Sequence, residues 1–481
     1  MIFVLVDDLD FPSVQEMPEI GAYLIEEGVS FENVFASYPL CCPSRATILT
    51  GLYAHNHDVR GNTPPDGGFQ KFVSEGHEED SIAVHLREGG YQTAFFGKYL
   101  NGYAAGDPTR VPPGWDEWYG KLEEQKLYDY RINENGEEVY YGSEEGDFFT
   151  DVLSGQATDF VRRAAPEEEP FFAYVAPTAP HGPATPAERH EGAFAEEEAP
   201  RPPSFDEEDV SDKPSPIGDA GRLSEEEASG IDDYYRQRLE SMLAVDEMVG
   251  ALVDELEAAG ELDNTYIVFT SDNGWQGGEH RIQSNKNRPY EESIHVPLLV
   301  RGPGVTAGSE VEGMVLNTDL APTFAELAGV GFPADGRSLA PLMRGEEPAS
   351  WRSAVLLEKL PSESGGEEGK AKGKAKGKAE GKAKDKSKAK GKAKDKAGSG
   401  GVPKAGTSGA PAFEAVRTGT HKYVEYENGE TELYDLEADP YELESLHESA
   451  DPALIEDLKT RLDALRDCSG EEECSEAEDA P

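Results

Sequence analysis

The chain has 481 residues, of which 37% are hydrophobic, and it carries a formal net charge of −52. This length is enough for two or three domains with a large core, and no apolar run reaches the ~18 residues of a transmembrane helix. The charge disfavours nucleic acid as a partner, because an acidic surface repels the phosphate backbone. Four cysteines are too few for a disulfide scaffold.

Buried-strand patterns alternate with helical patterns through the first 350 residues. Apolar runs predict strands at residues 2–6, 29–36, 91–96, 171–175, 266–270 and 296–300. Amphipathic spacing predicts helices at residues 14–27, 81–88, 148–163, 224–259 (with a break near Gly230) and 319–327, and residues 128–141 have the pattern of a surface hairpin. This alternation is typical of an α/β domain around a mostly parallel sheet, which we place at residues 1–350.

Polar side chains follow four of the predicted strands. They are Asp7-Asp8, Lys98, His181 and Asp272-Asn273. Open α/β sheets bind their ligands at the carboxyl ends of the strands, so we expect these side chains to lie close together. Carboxylate and amide oxygens are hard ligands that suit Ca²⁺ or Mg²⁺.

Residues 41–51 (CCPSRATILTG) have the pattern of a short helix. Pro43 suits the first helical position and Gly51 the residue after the end. Cys41 would then lie just ahead of the helix N-terminus, where free N–H groups favour an anion. Arg45, one turn in, could reach the same anion. A sulfur nucleophile, a helix start and an arginine so close together favour chemistry on a charged oxyanion ester.

The composition changes after Pro361. Residues 370–396 contain 13 lysines against Glu380, Asp385 and Asp395, and we predict that the insertion 361–411 is disordered. Strand patterns at 354–358, 413–417, 422–427 and 431–434, with an amphipathic helix at 452–466, predict a small C-terminal subdomain of antiparallel sheet and helix at residues 351–360 and 412–467. We interpret residues 468–481 as an acidic tail. Its Cys468 and Cys474 favour a small disulfide loop over zinc, because no further Cys or His lies near them.

The string Cys41-x-Pro43-Ser44-Arg45-x-x-x-Leu49-Thr50-Gly51 resembles the signature of the type I sulfatases. The resemblance implies an alkaline-phosphatase-like α/β fold and a sulfuric ester hydrolase in which Cys41 is oxidised to formylglycine by a maturation enzyme. It also implies one cation, usually Ca²⁺ with Mg²⁺ left open. Its ligands would be Asp7, Asp8, Asp272, Asn273 and the converted Cys41. The implied catalytic residues are Cys41, Arg45, Lys98, His181 and Lys286, with His55 and His280 as candidate substrate contacts and His57 as a weaker one.

The resemblance also implies a mechanism. One hydroxyl of the hydrated aldehyde attacks sulfur, His181 protonates the leaving alcohol, and the second hydroxyl then expels sulfate. Many arylsulfatases have a histidine where this chain has Leu100. The sequence Gly97-Lys98-Tyr99-Leu100-Asn101 instead resembles the N-acetylglucosamine-6-sulfatase branch. The expected substrate is therefore a sulfated sugar, with an aryl sulfate left open.

Two alternatives remain at this point: a phosphonate monoester or phosphodiester hydrolase with the same fold and aldehyde, and a non-catalytic protein that binds sulfated glycans. We expect no nucleic acid or membrane partner. The chain opens directly into the strand pattern at Ile2, without a signal peptide. Since folds seldom begin flush with a core strand, we expect the natural start to lie upstream, and we suspect an exported or cell-surface protein.

Overall fold

A ten-stranded sheet forms the centre of the computed structural model, which describes residues 1–346, 348, 350–361 and 411–480. The described strands, in chain order, are β1 (Ile2–Val6), β2 (Val29–Phe31), β3 (Val34–Phe35), β4 (Gln92–Gly97), β5 (Glu117–Lys121), β6 (Tyr130–Glu134), β7 (Glu137–Tyr141), β8 (Phe171–Ala176), β9 (Ile267–Ser271), β10 (Leu298–Arg301), β11 (Ser309–Val311), β12 (Val315–Leu316), β13 (Ala354–Lys359), β14 (Phe413–Thr418), β15 (His421–Tyr426) and β16 (Thr431–Asp435). The order in the main sheet is β11-β2-β10-β9-β1-β8-β4-β5-β6-β7.

The middle of this sheet is parallel. Strands β9, β1, β8, β4 and β5 are all paired in parallel, and Val4 of β1 lies between Val175 and Phe269 of its neighbours. Strands β10, β6 and β7 pair antiparallel toward the two edges, with β6 and β7 forming the predicted hairpin. The predicted mostly parallel α/β sheet is therefore confirmed, and its parallel part brings four loops to one edge.

The described chain has helices on both faces of the main sheet and in the C-terminal subdomain. They are α1 (Pro18–Ile20), α2 (Cys41–Thr50), α3 (Ala54–His57), α4 (Gly68–Ser74), α5 (Ile82–Glu88), α6 (Phe149–Ala164), α7 (Glu225–Ala259), α8 (Glu291–Ile294), α9 (Leu320–Ala328), α10 (Ala340–Met343), α11 (Pro452–Arg466) and α12 (Glu471–Asp479). Alternate residues of β1 point to opposite faces. Val4 packs in the core with α6 and α7, and Phe3 packs in the core with α2, α5 and α9.

Two helix predictions differ from the structure. Residues 14–27 do not form one helix but a 3₁₀ segment (Phe11–Glu16), the single turn α1 and a π-type segment (Gly21–Ile25). In contrast, α7 runs through Gly230 without a break. Its Ser224 forms a capping box with Glu227, and its face toward the sheet is apolar, so tertiary packing outweighs the low helix propensity of one glycine.

The C-terminal subdomain is a four-stranded antiparallel sheet, β13-β14-β15-β16, with α11 and α12 against it. Its core is continuous with the main domain, because Phe35 and Tyr53 pack in the same cluster as its strands. Strands β13 and β14 are direct neighbours, so the chain between them leaves and re-enters the same sheet. The disorder predicted for residues 361–411 falls on a segment of which 362–410 lie outside the described residues.

The segment interpreted as an acidic tail, residues 468–481, is folded over its described part. Residues Glu471–Asp479 form α12, and Cys468 is joined to Cys474 by a disulfide. Glu478 of this helix is fully buried, where it accepts hydrogen bonds from Arg337 and Arg352. An acidic segment is usually solvated, but here buried arginines supply the opposite charge that makes its burial favourable.

Candidate active site

Four neighbouring strand ends meet at the carboxyl edge of the parallel sheet. Asp7 and Asp8 follow β1, Lys98 follows β4, His181 lies in the loop after β8, and Asp272 follows β9. Asp8 adopts a left-handed backbone conformation (φ 68°), and its N–H donates to Asp272 Oδ1 over 3.2 Å. The sequence-predicted residues from these strands are therefore brought together, because adjacent parallel strands end side by side.

Helix α2 places Cys41 at this edge. The helix begins at Cys41 itself, after the extended residue Leu40, and ends at Gly51 in a left-handed conformation (φ 68°). Pro43 is thus the third helical residue and not the first, a position where a missing N–H is also harmless. The Cys41 Sγ lies 3.5 Å from Asp7 Oδ1 and 2.8 Å from Lys286 Nζ. The Cys41 Sγ therefore lies between a carboxylate and an ammonium group.

Three cations and three carboxylates surround Cys41. Arg45 Nε donates to Asp272 Oδ2 over 2.7 Å, Lys98 Nζ donates to Asp7 Oδ2 over 2.5 Å, and Lys286 Nζ contacts Asp8 Oδ1. Arg45 also donates to the Lys98 carbonyl over 2.7 Å. The charges balance, so a bound divalent cation would leave a surplus of two positive charges. Such a surplus suits a sulfate monoester anion.

Burial governs the ionisation of these groups. Burial, reinforced by the Asp7 carboxylate, raises the pKa of the Cys41 thiol to about 12. Burial alone would also raise the pKa of Asp7, but Lys98 and the other facing cations hold it well below its usual value. An unconverted thiol at position 41 would thus stay protonated at neutral pH, and a protonated thiol is a poor nucleophile.

The residues of the site fit a hard divalent cation. One ligand atom from each of Asp7, Asp8, Cys41 and His181 lies within 4.8 Å of the others. Asn273 Nδ2 donates to Asp8 Oδ1 over 2.8 Å, which directs this amide into the cluster. Its Oδ1 is buried without a hydrogen-bond partner among the described residues. A buried acceptor with no donor is costly unless a ligand satisfies it, and oxygen donors suit Ca²⁺ or Mg²⁺.

His181 lies at the solvent-exposed side of the site. Its side chain is 27% exposed, whereas those of Arg45 and Asp7 are 2% and 1% exposed. Its Nδ1 donates to the Gly182 carbonyl over 2.8 Å, and its Nε2 lies 3.8 Å from Asp8 Oδ2. The nitrogen that faces the cluster is therefore the one that a bound ester could reach.

A model of the family described as Sulfatase matches residues 1–330. The chain belongs to the sulfatase family. It is 34% identical to an N-acetylglucosamine-6-sulfatase of Capra hircus over 98% of this chain and 84% of that protein. It is 37% identical to a putative extracellular sulfatase Sulf-1 homolog of Caenorhabditis elegans, over 75% of this chain and 52% of that protein. Thus it spans about half the length of the second relative.

A solved structure is also similar over nearly the whole chain. It is BT4656 in complex with its substrate D-glucosamine-2-N,6-O-disulfate, with a TM-score of 0.73, 25% identity and 96% of each chain covered. The alkaline-phosphatase-like fold expected from the motif is confirmed. Family, relatives and fold together identify the chain as a sulfatase, an enzyme that hydrolyses sulfate monoesters.

Two predicted substrate contacts of the sulfatase are engaged by other protein groups. The ring nitrogens of His55 are engaged by Glu358 Oε2 at 3.0 Å and the Cys468 carbonyl at 2.9 Å, so this histidine joins the main domain to the C-terminal subdomain. His280 is 0% exposed, and its Nδ1 lies 2.7 Å from Glu207. Because neither ring presents a free nitrogen to solvent, the geometry does not support substrate contact by either histidine, and that role stays a prediction. The weaker candidate His57 is also buried, with Nε2 at 3.0 Å from Thr47.

Sequence reasoning missed two buried cations of the sulfatase. Arg238 of α7 donates to the Asp8 carbonyl over 2.6 Å and lies 4.1 Å from the Trp275 ring, so it holds the loop that carries Asp8 in place. Lys121 lies under the loop that carries His181, with Nζ 3.3 Å from Thr178 Oγ1. Burial, and then Lys98, lower its pKa well below the usual value. The sequence does contain a signal for Arg238, because this charged residue falls on the apolar face of α7. It contains no such signal for Lys121.

No helix in the described part of the sulfatase is both long enough and apolar enough to cross a bilayer.

Proposed function

We propose that this sulfatase removes the 6-O-sulfate of a glucosamine-type sugar, using formylglycine made from Cys41 and one divalent cation. The observation that carries the proposal is the position of the Cys41 Sγ, between the Asp7 carboxylate and the Lys286 ammonium at the meeting point of four strand ends. An ordinary buried cysteine does not need charged groups beside its sulfur. A nucleophile that attacks a sulfate ester does need them.

The proposed cation ligands are Asp7, Asp8, Asp272, Asn273 and the converted residue 41. The cation would supply Lewis-acid stabilisation of the charge that develops on the sulfate oxygens. Ca²⁺ is the expected ion, with Mg²⁺ as the alternative, because all the donors are oxygens. Arg45, Lys98 and Lys286 would add fixed positive charge on the side of the helix start. Because they are held by carboxylates before substrate arrives, this charge is preorganised.

The proposed role of residue 41 explains why a thiol is the precursor and not the nucleophile. Formylglycine, once hydrated, offers one hydroxyl to attack sulfur and a second to release sulfate. Cys41 is fully buried at the start of α2, so conversion before or during folding by a maturation enzyme is required. His181 would protonate the leaving alcohol from Nε2, since its Nδ1 is already committed to the Gly182 carbonyl.

A sulfated amino sugar is proposed as the substrate for two reasons. The goat relative is named an N-acetylglucosamine-6-sulfatase, and the similar solved structure holds a 6-O-sulfated glucosamine. We also propose action outside the cell. Support comes from the relative named as an extracellular sulfatase and from the disulfide between Cys468 and Cys474, since such bonds persist in oxidising compartments.

Two measurements test the proposal. The chain is produced with and without a formylglycine-generating enzyme, and the peptide containing Cys41 is examined by mass spectrometry. The same preparations are then assayed with N-acetylglucosamine-6-sulfate, an aryl sulfate and an aryl phosphonate ester. We expect turnover to track the aldehyde content and the sugar sulfate to be preferred. Preference for the phosphonate would favour the alternative hydrolase. Glycan binding without turnover in aldehyde-bearing protein would favour the non-catalytic alternative.

A further inference from the structure

A second group of metal-type ligands lies apart from Cys41, between the main domain and the C-terminal subdomain. One ligand atom from each of His280, Glu292 and Glu442 lies within 4.8 Å of the others. Ligand atoms held at about 2.0–2.4 Å from one ion are at most about twice that distance apart, so a single cation could bridge this group. We propose that these three side chains form a second divalent-cation site of the zinc class.

The Nε2 atom of His280, which has no partner among the described residues, favours a bound metal ion. The ring is 0% exposed, its Nδ1 lies 2.7 Å from Glu207 Oε2, and its Nε2 has no hydrogen-bond partner among the described residues. A carboxylate on Nδ1 keeps the proton there and leaves the Nε2 lone pair free. Histidines that bind metals are typically oriented in this way, with the other ring nitrogen donating to a carboxylate. Ordinary buried histidines have both nitrogens satisfied by protein groups.

The two carboxylates are also arranged for a ligand. Glu292 Oε2 is buried with no partner in the described part of the chain. Glu442 is held in place, because Lys422 Nζ lies 2.5 Å from its Oε1 and the Glu291 N–H donates to its Oε2 over 2.9 Å. One imidazole nitrogen with two carboxylate oxygens is a donor set that suits Zn²⁺ or Mn²⁺ better than an all-oxygen site would.

The charged groups around His280 have a net negative charge that a divalent cation would neutralise. Five carboxylates and three cations are linked by contacts around His280 (Glu207, Asp212, Glu291, Glu292 and Glu442 against Lys213, Lys422 and Arg417). Full ionisation would leave a net charge of −2 on a group in which Glu207 and Glu442 are buried, which is unfavourable. Either a cation neutralises this charge or the carboxylates share protons, and these two states differ in metal content.

The site would also connect distant parts of the chain. His280 lies in the loop between β9 and α8, Glu292 lies in α8, and Glu442 follows β16 in the C-terminal subdomain. The same β9–α8 loop carries Lys286, which contacts Cys41. A cation here would join this loop to the subdomain and hold Lys286 in position without touching the substrate.

The test measures zinc content in a chain whose first site is disabled by Cys41→Ala and Asp8→Asn, so the result does not depend on the proposed chemistry at Cys41. After dialysis against Zn²⁺ with excess Ca²⁺, we expect one zinc per chain by elemental analysis and a higher Tm with zinc. Adding His280→Gln should remove both effects. His447→Gln, a nearby histidine outside the cluster, should leave both unchanged.

A second variant, Glu207→Gln, keeps the test decisive if His280→Gln does not fold. Glu207→Gln keeps the three ligands but removes the carboxylate behind His280, and should weaken zinc affinity about 10–100-fold. Near-ultraviolet circular dichroism without zinc shows which variants fold. If His280→Gln does not fold, Glu207→Gln decides. No retained zinc in the parent chain, or zinc affinity unchanged in the deciding variant, would overturn the proposal in favour of shared protons.

Discussion

Glu478→Gln should destabilise the sulfatase strongly, although it alters a residue in the last described helix, α12. Glu478 is fully buried, and its Oε2 accepts from Arg337 Nη2 over 2.6 Å and from Arg352 Nε over 3.0 Å. Removing one partner of a buried ion pair costs about 3–5 kcal/mol, because the other charge stays buried. Arg352 keeps two hydrogen bonds to Asp319, at 2.5 and 2.8 Å, so we expect about 3 kcal/mol.

The assay is equilibrium unfolding in urea under non-reducing conditions. Trp351 provides a local fluorescence signal, since the guanidinium of Arg337 lies 5.3 Å from its ring. The matched control is Glu473→Gln, an exposed position in the same helix, for which a change within about 0.5 kcal/mol is expected. If Glu478→Gln behaved like this control, α12 would not be docked by buried charge and the reasoning would fail.

Three further changes test the active site and its support. Cys41→Ser should reduce sulfate-ester turnover to background, because serine lacks the second hydroxyl that expels sulfate. Lys286→Met should lower kcat about 10²–10³-fold, as expected when one preorganised charge is removed from the transition state. Burial lowers the pKa of His55, but the hydrogen bond and charge of Glu358 outweigh it and raise this pKa to about 9. Its stabilising contribution should therefore be complete below about pH 6.5 and lost as pH rises through 9, a loss absent in His55→Gln and measurable by urea unfolding at several pH values.

Each change has a control. Cys42→Ala should retain turnover; equal loss in both cysteine variants would show a folding defect and not a chemical one. Lys459→Met removes a lysine from the exposed side of α11 and should leave kcat unchanged. A Lys286→Met enzyme with wild-type kcat would remove Lys286 from the reaction. Parallel pH profiles of unfolding for His55→Gln and the wild type would show that His55 is not charged by Glu358.

Sequence patterns placed most of the candidate site. Asp7, Lys98 and Asp272 were predictable because each follows an apolar run, and strand ends of a parallel sheet meet at one edge. Cys41 and Arg45 were predictable because one helical turn separates them. His55 and His280 were not. Their neighbours Glu358 and Glu207 lie 303 and 73 residues away along the chain, and no local spacing reveals which ring nitrogen is already bound.

Short-range periodicity and a contiguous motif were enough to predict the alternation of strands and helices, the cysteine at a helix start and the family. That residues 471–479 form a docked helix, and that His280 lies beside Glu292 and Glu442, became apparent only in the folded chain. Burial of a charge depends on partners brought from elsewhere in the chain. Its energetic consequence therefore appears only when the whole fold supplies those partners.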